Sequence, residues 1–315
     1  MRVFLAGATG ALGRTLVPQL ISAGHQVTGT TRSKGKFNQI RAWGADPVLV
    51  DGLDAAAVGE AVAAAEPDAI IHQMTALSGS SDLRRFDRTF AVTNELRTVG
   101  TDNLLAAARA TGVRRFVAQS FTGWPNERTG GPIKTEDDPL DPNPPKWQRR
   151  SLAAIEYVER SVLAAPLDGI VLRYGMFYGP GASDELIALV RKRRMPIVGD
   201  GGGIWSMIHI DDAASATVAA LSAGQGVYNI VDDEPATSAV VLTTLAEIVE
   251  AKRPRHLPVW LARLAAGEVG VSYLTNIRGS SNAKAKRELD WQPHWVTWRE
   301  GFRDGLVDSV ITPRG

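Results

Sequence analysis

Three glycines open the chemistry of this chain. In the stretch "AGATGALG", Gly7, Gly10 and Gly13 follow a short apolar run and head an amphipathic segment, with Thr9, Ala11 and Leu12 between them. Glycines at such a turn let the backbone approach a ligand closely. A pyrophosphate can then rest on a helix N-terminus, where free N–H groups and the dipole favour an anion. This predicts dinucleotide binding. A second candidate group ends the run "RRFVAQSFTGW", where Ser120, or Thr122 if the register slips by two, can donate a hydrogen bond to a substrate oxygen.

The segment "TGTTRSKGK" reports on the cofactor. At the end of a second strand, an acidic residue would hold the ribose 2′-hydroxyl of NAD. No carboxylate is present here, while Arg32, Lys34 and Lys36 can neutralise a 2′-phosphate, Arg through two parallel hydrogen bonds. NADP(H) is therefore expected in preference to NAD(H).

The elements that must position these groups alternate. "RVFLA", "HQVTGT", "DPVLVD", "DAIIHQ", "RRFVAQS" and "DGIVLRY" read as strands, nearly continuous in apolar residues, as in a parallel sheet covered on both faces. "GRTLVPQLISAG" and "NELRTVGTDNLLAAARATG" read as helices, the second capped by Gly112. Right-handed crossovers then give an α/β fold, a Rossmann-type doubly wound sheet. The expected division is a dinucleotide-binding domain over 1–174, with segments returning near 205–230. A smaller, mainly substrate-binding lobe over 175–315 completes it. The lobe is marked by Pro- and Gly-containing loops, the helical "SAVVLTTLAEIVEAK" and the tail "AKAKRELDWQPHWVTWREGF".

Composition narrows the function. The 315 residues carry 35 basic and 34 acidic side chains, a net charge of +1, so nothing calls for nucleic acid. "RKRR", Arg191 to Arg194, reads as an exposed helix end. With no cysteine, disulfides, thiolate nucleophiles and zinc–thiolate sites are excluded. The N-terminus reaches glycine too soon for a signal peptide, and no apolar run is long enough for a membrane span. The expected setting is cytoplasmic, with a small-molecule substrate.

The GxxGxxG spacing, with "DGLD", "GTDNLLAAA", "LRYGMFYGPG", "MIHIDDAA", "VYNIVDDEP" and "AKAKRELDWQP", resembles the extended short-chain dehydrogenase/reductase family, also called the NAD-dependent epimerase/dehydratase family. The likeness spans almost the whole chain. It implies that Asp51 and Gly52 lie near the adenine, that Gln73, Met74 and Thr75 run along the cofactor, and that Tyr174 packs beside the nicotinamide. It also implies a Tyr, and a Lys four residues later on the same helix face. A phenol with a pKa near ~10 works near neutrality only beside a cation.

In "PPKWQRRSLAAIE" the matching positions are Gln148 and Leu152, and the family's supporting Asn falls at Arg97. The dyad is absent. Ser120, Tyr174 and Gln148 are the remaining catalytic candidates; Tyr157 and His209 read as non-catalytic. Trp205 falls near the place where nucleotide-sugar members of the family carry a diphosphate-binding Arg, and Met176 replaces an Asn, which points to an apolar or aromatic substrate. Ser78, Ser80 or Arg84, in "ALSGSSDLRRF", supply polar contacts. The resemblance also implies a possible homodimer through helices near 90–110 and 150–164.

The expected function is an NADP(H)-dependent oxidoreductase acting on a carbonyl or otherwise electrophilic small molecule. A redox-neutral epimerase or dehydratase, and a catalytically inactive NADP(H)-binding regulator, are the alternatives.

Overall fold

A computed structural model of the protein describes residues 1–76 and 83–306. Seven parallel strands form the main sheet: β1 (Arg2–Ala6), β2 (Gln26–Thr31), β3 (Asp46–Leu49), β4 (Ala69–His72), β5 (Arg115–Phe121), β6 (Asp168–Tyr174) and β7 (Gly226–Ile230). Their spatial order is β7-β6-β5-β4-β1-β2-β3. The order reverses at β1, so the crevice beyond its C-terminal end is where an open α/β sheet takes its ligand.

Strand alternation builds a core on each face. Val3 and Leu5 of β1 point to one side, joining Leu16 and Leu20 of α1 (Gly13–Ser22) and Ala213 and Ala216 of the helix Ile210–Ala219. Phe4 and Ala6 point to the other, joining Phe116, Val158 and Val162 under α3 (Ala55–Ala65), α5 (Ala91–Thr111) and α6 (Arg149–Ala164). Each such large side chain contributes about 1.5–3 kcal/mol by leaving water. The short helices α2 (Phe37–Ala42) and α4 (Phe86–Thr89) complete the numbering.

Local signals set the boundaries. Asp54 caps α3 by accepting from the N–H groups of Ala56 and Ala57, and Gly112 ends α5 at φ +74°. Beyond β6, ladders of two or three residues tie the second lobe together, such as Met176–Tyr178 beside Met207–His209. Its apolar core joins Trp205, Met207, Trp298 and Phe302 to Phe86, Trp124, Leu152 and Ile155 from the first half of the chain. Arg191 to Arg194 lie at the end of the helix Asp184–Arg191, largely exposed. Among the described residues no helix is long and apolar enough to cross a membrane.

Candidate active site

The ends of β1, β2 and β4 surround a cleft of about 400 Å³. Gly7, at φ +99°, brings the backbone against β4: a Cβ there would sit 2.7 Å from the Gln73 carbonyl oxygen. Its N–H donates to Thr30 Oγ1 at 2.9 Å. Gly10 closes the turn by donating to the Gly7 carbonyl, and a Cβ at Gly13 would collide with the Ala8 carbonyl. Leu12, the N-cap of α1, makes no side-chain cap, and the first turn carries no acid, so the leading N–H groups remain available to an anion. Gly7, Thr9, Gly10, Ala11, Leu12 and Gly13 all line the cleft. The residues fit a dinucleotide.

Farther along the cleft stand Gly52, Gln73, Met74 and Thr75. Asp51 is exposed and its Oδ1 accepts from the Leu53 N–H, while its neighbours Val50 and Gly52 line the cleft. Arg32 and Lys36 line the β2 side, with Thr30 and Thr31; Lys34 does not. No carboxylate lines the cleft among the described residues.

Sequence reasoning missed Gln119 and Phe177, both in the lining. Gln119 donates to the Met74 carbonyl at 3.4 Å. The signal was available in strand alternation: Phe116 and Ala118 face α5 and α6 together with Ser120, so Gln119 must face the opposite way.

That alternation changes the reading of Ser120. It is 4% exposed, and its hydroxyl donates to Glu159 Oε1 at 2.7 Å, beneath the sheet. Glu159 is gripped by Arg173 through bonds of 2.8 and 2.6 Å. Thr122 is also buried, 2.6 Å from Ser280 Oγ and donating to Asn126 Oδ1. Neither hydroxyl lines the cleft.

Tyr174 is likewise placed in the core. Its hydroxyl meets Thr217 Oγ1 at 2.7 Å and accepts from Gln73 Nε2 at 2.9 Å, while burial pushes its pKa upward. It reaches the cleft only by holding Gln73. Trp205, 1% exposed, donates through Nε1 to the Tyr273 carbonyl, so it packs the lobe rather than lining the cleft. Met176 is half-buried against the same core. Ser78 and Ser80 lie outside the described residues.

Gln148 ends the turn before α6 and is 1% exposed, with Oε1 buried and unpartnered. One helical turn on, Leu152 packs with Phe86, Trp124 and Ile155. Neither lines the cleft. Arg97, on α5, is 7% exposed; its Nε is buried without a partner, and burial brings its pKa down to about 10 despite Glu159 nearby.

His72 accepts the Met74 N–H at Nδ1, which leaves Nε2–H to donate to the Leu96 carbonyl; burial lowers its pKa to about 4. His209 is structural, accepting from the Asp211 N–H and bonded through Nε2 to the Gly305 carbonyl. Tyr157 donates to Asp102 on the outer surface. Among the described residues no group of three or more His, Asp or Glu could hold a metal ion.

A parallel sheet of this order with a glycine-walled cleft at its reversal point defines a dinucleotide-binding protein. The chain belongs to the NAD dependent epimerase/dehydratase family, whose profile matches residues 3–231. It is 42% identical over 314 residues to a 3-diazoavenalumate denitrifying reductase from Streptomyces sp, covering 96% of this chain and 99% of that one. It is 27% identical to a 2-alkyl-3-oxoalkanoate reductase of Stenotrophomonas maltophilia (strain K279a), over 100% of this chain and 97% of the relative. The solved UDP-glucose 4-epimerase of Thermotoga maritima, determined with UDP-glucose, shares the fold, with a TM-score of 0.76, 22% identity and 97% of both chains covered.

Proposed function

We propose that the protein is an NADP(H)-dependent reductase whose acceptor is an aromatic diazo compound. The observation that carries this is the 42% identity, across 96% of the chain, to the 3-diazoavenalumate denitrifying reductase. The site's chemistry supports the same reading. Gln148 and Leu152 stand where the family's proton-donating pair is expected, and the hydroxyls of Ser120, Thr122 and Tyr174 are all spent in buried bonds.

A nicotinamide dinucleotide held by Gly7, Gly10, Gly13, Gln73 and Met74 would supply a hydride. An aryl diazonium already carries the positive charge that this hydride neutralises. The hydride's electron pair would form the new ring C–H bond, the carbon–nitrogen bonding pair would depart on nitrogen, and dinitrogen would leave; no proton is added. A ketone, by contrast, becomes an alkoxide and needs an acid, whose loss costs about 10²–10⁴ in rate. The residues present suit the first acceptor and not the second. Arg32 and Lys36, with no acid in the lining, favour a 2′-phosphate.

The test supplies NADPH carrying deuterium at the transferable position, with aryl diazonium salts and simple ketones. The expected products are dinitrogen and an arene that carries the deuterium, with ketones left unreduced. Incorporation of solvent hydrogen instead, or no rate above the uncatalysed reaction, would overturn the proposal.

A further inference from the structure

Outside the cofactor cleft the described surface holds a second recess, of about 680 Å³, lined by Arg84, Arg85, Arg88 and Trp147. Its walls are the turn Leu83–Arg85, α4 and the turn Lys146–Gln148. Trp147 is 48% exposed, a large apolar side chain left facing water, and Lys146 Nζ lies 5.5 Å from its ring centroid. Arg149 and Arg150 follow after Gln148 and are exposed. Arg85 and Arg88 are three residues apart, close enough for both guanidinium groups to serve one ligand.

The positive charge here is local. The chain as a whole carries a net charge of only +1. The nearby acid, Asp87, is committed to the α6 N-terminus: it accepts from the Arg150 N–H at 3.1 Å, from the Ser151 N–H at 2.8 Å and from the Ser151 hydroxyl at 2.7 Å. Among the described residues neither Arg85 nor Arg88 is ion-paired. Holding the Arg85 and Arg88 guanidinium groups near one indole costs repulsion, which an anionic ligand removes.

We infer that this recess binds the carboxylate of an aromatic acid, the guanidinium forks of Arg85 and Arg88 holding the carboxylate while the Trp147 indole packs on the conjugated system. A planar carboxylate matches an Arg fork in two parallel hydrogen bonds, and the indole adds affinity only for a flat apolar body. The recess lies beside the start of α6, since Trp147 immediately precedes Gln148. The assignment rests on the aromatic-acceptor reading above for the choice of an aromatic ligand; the charge and the indole belong to this chain.

Calorimetric titration of the full chain with trans-cinnamate and with its neutral amide tests the site without any turnover. Cinnamate is expected to bind at least tenfold more tightly than cinnamamide. Arg85→Ala/Arg88→Ala should remove that preference while NADPH affinity stays unchanged, which shows that the fold is intact. Trp147→Ala should weaken both ligands. Equal binding of acid and amide, absent saturation by cinnamate, or a double variant that binds like wild type overturns the inference.

Kinetics then separate this site from the reaction. If a carboxylated diazonium is reduced with the same KM by wild type and the double variant, the recess is not the anchor and the diazo reading stands. If nothing is reduced while cinnamate binding remains selective and arginine-dependent, the diazo reading fails and the anion site stands.

Discussion

The Ser120 hydroxyl donates a hydrogen bond to Glu159, a carboxylate already held by Arg173, and all three groups are buried. Its work is therefore structural, and the charge-assisted bond it makes is worth about 1.5–3 kcal/mol. Ser120→Ala should lower unfolding stability by about that amount, read from urea denaturation, while leaving kcat for a diazonium acceptor within about threefold. A hundredfold loss of kcat at unchanged KM would return Ser120 to the catalytic group. His72 carries a pH signature. Its folded pKa of about 4 lies below the usual 6.5, so the unfolded chain binds the extra proton. The contribution is complete above ~6.5 and is lost as pH falls through that value toward 4. Between pH 7 and pH 5 it amounts to about 2 kcal/mol. Wild type should lose that much more than His72→Gln over the same interval, and equal losses would show that the imidazole does not titrate this way.

At the scale of elements, the loop after β2 carries the cofactor prediction. Arg32→Ala should weaken NADPH binding at least tenfold and leave NADH nearly unchanged, since only the former has a 2′-phosphate for the guanidinium; equal losses for both in titration calorimetry would count against it. The strands were legible because parallel strands covered on both faces are apolar throughout: the expected run at Asp168 to Tyr174 coincides with β6. Gly112 was legible as a cap because α5 ends where a left-handed residue is needed. The site was less so. Identifying the end of β5 did not by itself tell which of Gln119 and Ser120 turns to the cleft, because neighbours in a strand face opposite ways. Tyr174 followed the family expectation in sequence, yet Thr217 and Gln73 claim its hydroxyl. The two-residue ladders of the lobe, such as Ile204–Trp205 beside Ala236–Thr237, leave no periodicity to read.

Across the whole molecule, the boundary drawn after Tyr174 is crossed by many bonds. β7 pairs with β6 from Gly226 to Ile230, and the helix Ile210–Ala219 covers α1, where Gln19 donates to the Asp211 carbonyl. Arg115, on β5, donates to the Ala220 and Gly224 carbonyls. The tail closes over the same helix: Asp212 accepts from the N–H groups of His294 and Trp295, and Trp291 Nε1 donates to Ser215 Oγ. A fragment of residues 1–174 should therefore aggregate and bind no cofactor, whereas residues 1–306 should elute as a folded species that binds NADPH; a monomeric, NADPH-binding short fragment would show the halves to be separable. The late return of β7 also bears on birth at the ribosome. The β6 edge has no partner strand until about 55 further residues have been added. At ~5–20 residues per second that takes roughly 3–11 s, many thousandfold longer than hydrophobic collapse. For that interval the nascent chain presents an open, apolar strand edge, so its yield in a cell depends on how long translation leaves that edge bare and on what shields it meanwhile.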